Sequence, residues 1–275
     1  MFWGRLAAWR AGVPVILSAL HSTGLPNRVE LSNRLLSPLS DGFIGVARAH
    51  GEYLAAAEGC PVHKVFVVPN GVDVQAFTPS APEESLRAKL GLPADAPLAT
   101  IVAALRPEKN HELFLRAAAR AAKLQPQARF LIVGDGPRRA ELETLTRELG
   151  IQDRVLFLGT RSDIAALLSL SEVLVLSSHM EANPVSILEG LACGKPVVTT
   201  RVGSIPESVK DGGNGYLVAP GDAEQLADRV GALLADRDLA RRLGAAGREI
   251  VVREWSLERM VDGYQNLIAE IYASK

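Results

Sequence analysis

A parallel α/β fold is the architecture this sequence predicts, and three observations predict it. Short apolar runs of strand length recur along the chain: "VPVILSAL", "DGFIGVA", "HKVFVVPNGV", "LATIVAAL", "ARFLIVGDG", "RVLFLGT", "EVLVLSS", "KPVVTT" and "GYLVAP". Longer stretches with helical spacing separate many of them, at 109–124, 137–149, 162–170, 184–193 and 222–235. That rhythm gives a parallel sheet with helices on both faces. The chain is also large and apolar enough for real cores, with 275 residues of which 48% are hydrophobic and 22% charged.

Taken in order, the chain opens with "MFWGRLAAWRAGVPVILSAL", where Arg5 and Arg10 precede an apolar run. Pro14 interrupts that run and no small-residue cleavage site follows, so it reads as a buried strand rather than a secretory signal. No window approaches the roughly 18 to 20 apolar residues of a membrane span. At "VDVQAFTPSAPEESLRAKLGLPADAP" the texture changes, because Pro79, Pro82, Pro93 and Pro97 break any long periodicity. A domain boundary is expected there: residues 1–78 form a partial first domain of about three strands, and 79–250 a second domain. The second domain holds a complete doubly wound unit from Leu98 to about Val218. In 251–275, Leu257, Met260, Val261, Tyr264, Leu267, Ile268 and Ile271 recur at helical intervals, which predicts a final packing helix.

A formal net charge of −1 removes any bulk attraction to nucleic acid and leaves only a local basic site for a small anion. Cys60 and Cys193 are far apart in apolar surroundings and read as small core residues, which makes the cytoplasm the expected compartment. His50, His63, His111 and His179 lack the spacing of a metal motif, so no metal site is expected.

Ligands on open parallel sheets lie beyond the carboxyl ends of the strands. After "TIVAAL" comes "RPEKNHE", which places Arg106 and Lys109 in a turn leading into a helix, a suitable setting for phosphate. After "FLIVG", Gly134 and Gly136 flank Asp135, leave room for close backbone approach to a ligand, and precede Pro137 at the expected first helical position. After "VLVLSS" comes "HMEANPVSILEG". With Asn183 as N-cap and Pro184 first in the helix, the N–H groups of Val185 and Ser186 would form an anion cradle. Glu189 then lies about a turn into that helix while Glu181 approaches from the loop. Each carboxylate offers two acceptor oxygens to a vicinal diol, and the layout suits ribose, pyrophosphate and hexose in a row. In "LHSTG", His21 ends a strand beside Ser22 and Thr23.

The ordered set resembles the retaining nucleotide-sugar glycosyltransferases of family four, over nearly the whole chain. It comprises "VFVVPNGVDVQAFTP", "ALRPEKNHELFLRA", "FLIVGDGPRRAELE", "VLFLGTRSDIAALLSLSEVLVLSS", the Glu181 and Glu189 pair, "CGKPVVTTRVGSIPESV" and "NGYLVAPGD". The resemblance implies a GT-B-like fold: one complete Rossmann-like donor domain, an incomplete N-terminal Rossmann-like domain, and a final helix that crosses back to the first. It implies Glu181 at the donor sugar, Glu189 on the ribose, Lys109 on the phosphates and His21 reaching into the cleft at the transferred sugar. Gly134, Asp135 and Gly136 would lie beside the nucleoside, with Arg161 near the base.

Two departures stand out. Ala104 occupies the place of the family's usual phosphate-binding arginine, and Arg106 lies two residues later, where strand parity would aim it the same way. Met1 falls partway through the family's first domain, so the chain is expected to lack that domain's first strand and glycine-rich loop. The implied reaction is transfer of a sugar, with retention, from a nucleotide-diphosphate donor to a glycan or lipid-linked acceptor. It needs no metal or other cofactor, because Lys109, Arg106 and the helix N-terminus stabilise the departing diphosphate. His21 and Glu181 orient the sugar. The expected setting is polysaccharide or glycolipid assembly in the cytoplasm, with room for peripheral contact at the inner face of the membrane. Two alternatives stand beside it: an inactive nucleotide-sugar-binding remnant, and a sugar-nucleotide epimerase.

Overall fold

β-Branched residues and leucine fill the strands, and alternate residues along each strand serve opposite core layers. The computed structural model describes residues 2–21 and 27–275, with the backbone alone at 2, 27 and 28. Its first part comprises α1 (Phe2–Arg10), β1 (Leu17–Ala19), α2 (Asn27–Leu36), β2 (Gly42–Gly45), α3 (Arg48–Ala57) and β3 (Val65–Val67). After a long passage come α4 (Glu84–Lys89), β4 (Leu98–Val102), α5 (His111–Leu124), β5 (Arg129–Val133), α6 (Arg139–Glu148) and β6 (Val155–Gly159). Then follow α7 (Ile164–Ser169), β7 (Val173–Leu176), α8 (Val185–Ala192), β8 (Val197–Thr200), α9 (Ile205–Ser208) and β9 (Gly215–Val218). Helices α10 (Ala223–Ala235), α11 (Arg237–Glu254) and α12 (Leu257–Ala273) complete the chain.

Strands β4 to β9 form one sheet in the order β6-β5-β4-β7-β8-β9, parallel throughout. Ala99, Ile101, Phe130, Ile132, Val173 and Val175 point into the layer under α5 and α10. Their neighbours Leu98, Leu131, Leu174 and Leu176 point the other way, toward α4, α7 and α8. Both faces are therefore covered, as the apolar strands require. Alanines at positions 117, 118, 121 and 122 line the buried face of α5 and let it lie close to the sheet and to α10. Asn110 starts that helix: its left-handed backbone, φ 47°, turns the chain, and its side chain accepts from the Leu113 N–H.

Strands β1 to β3 form a second parallel sheet in sequence order. Phe43 faces Leu20, Leu54 and Cys60 on one side, and Ile44 faces Val68 and Leu267 on the other. Met260, Tyr264 and Ile271 of α12 pack on that second face, so the last helix covers the first sheet. The chain returns there through a short pairing of Val72 with Ser256, in which the Val72 N–H donates to the Trp255 carbonyl at 3.0 Å. Arg248 of α11 donates to the carbonyls of Val74, Phe77 and Ala192 and ties the passage between the sheets to α8.

The α/β, GT-B-type architecture predicted from the sequence is the one observed. The proline-rich passage nonetheless contains α4. With six residues between Pro82 and Gly91 it is too short to show a period in sequence. Pro137 precedes α6 instead of opening it, because the helix begins at Arg139.

Candidate functional site

The strand order reverses between β4 and β7, and ligands of open parallel sheets sit at the carboxyl edge of such a switch point. Lys109 follows β4 and Glu181 follows β7. Their side chains meet, Nζ to Oε1 at 2.6 Å, with Glu181 buried and Lys109 about a quarter exposed. The Ser178 hydroxyl donates to the same Oε1 at 2.6 Å, leaving Oε2 without a partner among the described residues. The two loops are stitched together. Ser177 donates its hydroxyl to the Asn110 carbonyl at 2.8 Å, and the His179 N–H donates to the Glu108 carbonyl at 2.8 Å. These bonds fix the turn that carries Lys109 before any ligand arrives.

Glu189 lies on the second turn of α8, half-buried, and its carboxylate has no partner among the described residues. Burial pushes its pKa up. The N–H groups of Val185 and Ser186 open the helix and have no acceptor among the described residues, which preserves the expected cradle. The cap itself differs. Pro184 is the N-cap, and no side chain caps the helix. Asn183 is buried and donates its amide to the Val46 carbonyl at 2.6 Å, while its own carbonyl accepts from Asn70 at 3.0 Å. Its amide is drawn to the first sheet because Val46, just past β2, offers a free carbonyl there.

The glycine turn also differs in kind. A Cβ at Gly134 would lie 2.1 Å from the Ala103 carbonyl oxygen, and one at Gly136 2.6 Å from that of Leu105. Here glycine allows the approach of the chain's own backbone; the Asp135 carbonyl accepts from the Leu105 N–H at 3.0 Å. Arg106 is exposed with no side-chain partner among the described residues, and strand parity does not govern it, since β4 ends at Val102. The Arg161 guanidinium forks onto Asp163 through Nε and Nη2, which holds its pKa high and leaves Nη1 without a partner among the described residues. His21, two residues past β1, is exposed at the carboxyl end of the first sheet; Ser22 and Thr23 lie outside the described residues.

Several residues that shape the site carry no role in the sequence reading. A Cβ at Gly203 would lie 1.9 Å from the Glu181 carbonyl oxygen, and Gly203 has φ +50°. Ser204 donates its hydroxyl to the Ala182 carbonyl, and Thr200 donates to the Ser178 carbonyl at 2.6 Å. Both follow the rule of reading strand ends, here the end of β8. Glu207 of α9 accepts the N–H groups of Arg48 and Ala49 at 3.0 and 2.8 Å, capping α3 across the gap between sheets. His111 is fully buried beside Lys109 with neither ring nitrogen bonded. Burial, opposed by Glu112 and reinforced by Lys109, lowers its pKa to about 4, so the ring is neutral at neutral pH.

Lys109, Glu181, Glu189 and the opening N–H groups of α8 all follow β4 and β7, the two strands of the switch point. Residues 82–250, more than half of the chain, match the family described as glycosyl transferases group 1, and the chain belongs to that family. It is 40% identical over 144 residues to the N-acetyl-alpha-D-glucosaminyl L-malate synthase of Bacillus anthracis, covering 52% of this chain and 38% of that protein. It is 28% identical over 284 residues to the UDP-Gal:alpha-D-GlcNAc-diphosphoundecaprenol alpha-1,3-galactosyltransferase of Escherichia coli, covering 99% and 73%. Among solved structures it is similar to Anabaena HepE in complex with UDP and glucose, with TM-score 0.87, 25% identity and coverage of 99% and 74%. Several curated relatives matched at 33 to 37% identity are spanned over only about half their length.

Proposed function

We propose that this chain binds a nucleotide-diphosphate sugar in the β4/β7 crevice and transfers the sugar, with retention, to a glycan or lipid-linked hydroxyl. The observation that supports the reading is the set of groups that follow the two switch-point strands, β4 and β7. Glu189 is half-buried and unpartnered, the Val185 and Ser186 N–H groups are free, and Lys109 touches Glu181. A ribose diol satisfies Glu189, the diphosphate takes the helix N-terminus and Lys109, and the hexose meets Glu181.

The groups account for the chemistry without a metal or cofactor. As the glycosyl phosphate bond breaks, negative charge grows on the departing diphosphate, and Lys109, Arg106 and the α8 N–H groups are the groups that would stabilise it. A diphosphate that draws Lys109 away from Glu181 frees Oε1 for a sugar hydroxyl. His21 enters from the first sheet and orients the transferred sugar. The UDP held by HepE and the UDP-Gal named for the E. coli relative make uridine donors the first to try. The lipid diphosphate in that relative's name makes polysaccharide or glycolipid assembly, in the cytoplasm at the inner membrane face, the natural setting. No helix of the described residues is long and apolar enough to cross a membrane.

Calorimetric titration of the purified chain with UDP tests the site. Saturable binding that Glu189→Ala weakens about tenfold is expected, the scale of a lost charge-assisted hydrogen bond. Unchanged affinity in that variant would remove Glu189 from the ribose. Nucleotide release from a panel of nucleotide sugars tests turnover, and release abolished by chelator would overturn the metal-free reading.

A further inference from the structure

The opposite edge of the six-stranded sheet has a cavity of its own. It opens at the amino-terminal ends of β4, β7 and β8, away from the donor crevice, with a volume of about 370 Å³. Its walls carry the cations Arg87, Lys195, Arg237 and Arg241 and the acids Asp95 and Glu172, with Glu84 exposed at the rim.

Some of these charges are paired and others, Arg87, Lys195, Asp95 and Glu84, have no ion pair among the described residues. Arg237 faces Glu172 at 3.6 Å, and Glu172 also accepts the Leu98 N–H at 2.6 Å, so that carboxylate is committed. Arg241 pairs with Asp238 on the surface. Arg87 is 95% buried, yet it holds only carbonyls: Nη1 donates to Pro93 and Ala96, both at 3.0 Å, Nη2 to Leu170 at 3.3 Å, and Nε is unbonded. Lys195 is half-buried and donates to the Ser169 carbonyl at 3.1 Å. Burial pushes its pKa down, and Glu172 opposes that shift. Ser169 and Leu170 end the six-residue α7, whose carbonyl end supplies at most about half a negative charge to face two full cations. Buried charges are ordinarily matched by opposite ones, and Arg87 and Lys195, which both line the cavity, have no carboxylate at ion-pair distance among the described residues.

We propose that this cavity is a second binding site, for a small phosphate-bearing anion held between Arg87, Lys195 and Arg241. The planar guanidinium and the flexible ammonium suit phosphate oxygens, and the volume admits a phosphomonoester larger than inorganic phosphate. Such an anion bridges the loops before β4, β7 and β8 to the start of α11, and so braces the donor domain from behind. The site does not depend on what fills the crevice at the other edge.

Thermal unfolding of the intact chain in rising inorganic phosphate, at constant ionic strength, tests it. Wild type should show a saturable rise in Tm that an equal ionic strength of chloride does not give. Lys195→Gln should weaken the apparent phosphate affinity about tenfold, and Arg241→Gln, at the exposed rim, roughly threefold. Lys109→Met, in the other crevice, should keep the wild-type increment above its own baseline. The proposal is overturned by any of three results: no saturable rise in wild type, an increment unchanged in both Lys195→Gln and Arg241→Gln, or an increment lost in Lys109→Met. If Lys195→Gln fails to fold, Arg241→Gln alone decides.

Discussion

The two sheets use the same strand chemistry but are stabilised by different means. Around the six-stranded sheet, helices on both faces bury a continuous set of side chains from Ala99 to Leu243 in one layer and from Val72 to Trp255 in the other. The three-stranded sheet has fully buried clusters of four and three hydrophobic residues among the described ones, too few to order a sheet unaided. It relies on α12 from the far end of the chain and on polar bonds across the gap. The larger sheet therefore supplies a rigid site, and the smaller one is held to it by contacts that single changes can remove.

Ending the chain at Ser256 should break that dependence most completely. Hydrogen exchange should show protection lost across β1 to β3 and retained in β4 to β9, whereas equal loss in both sheets would mean they fold as one unit. Gly203→Ala strikes the larger sheet at its most crowded point, forcing a Cβ against the Glu181 carbonyl oxygen at a left-handed φ. A loss of about 3 kcal/mol in denaturant unfolding is expected, together with weakened UDP binding. His111 sharpens the comparison through pH. Its folded pKa is depressed to about 4, so the stability it contributes is present above pH 6.5 and lost as pH falls toward 4. That loss amounts to about 3 kcal/mol, and His111→Leu should flatten the acid slope of ΔG.

Smaller effects are expected where the sheets meet and within the crevice. Glu207→Gln weakens a charged cap and should cost about 1 kcal/mol, seen as faster exchange of the Arg48 and Ala49 amides. Glu189→Gln should act in two directions. Its raised pKa means that stability is present at low pH and lost as pH rises through that value, because burial penalises the charged carboxylate. The amide should raise Tm slightly while weakening UDP binding. A variant that gains stability and keeps full affinity would make Glu189 an ordinary buried acid.

Much of this could be read from the residues. Every apolar run named at the outset contains a strand or, for "VPVILSAL" and "HKVFVVPNGV", a three-residue one. Reading the strand ends led to Lys109, Glu181 and Glu189. Other features were not local and so left no mark in sequence. Asn183 looks like a helix cap in "EANPVS", but its partner Val46 is 137 positions away. Gly134 looks like a ligand turn, but the atom that needs the space belongs to Ala103. The pairing of Lys109 with Glu181 across 72 positions follows from the order of the strands, which spacing alone does not give.

Asn183 also sets a mechanical condition. Ala182 alone separates it from Glu181, and the Ala182 carbonyl is pinned by Ser204. One end of this short tether is fastened to the smaller sheet through Val46 and Asn70, and the other bears the acid that meets Lys109. Hinging of the smaller sheet away from the larger one must therefore either tear the tether free or drag the acid with it. Opening the molecule and parting Glu181 from Lys109 become one movement.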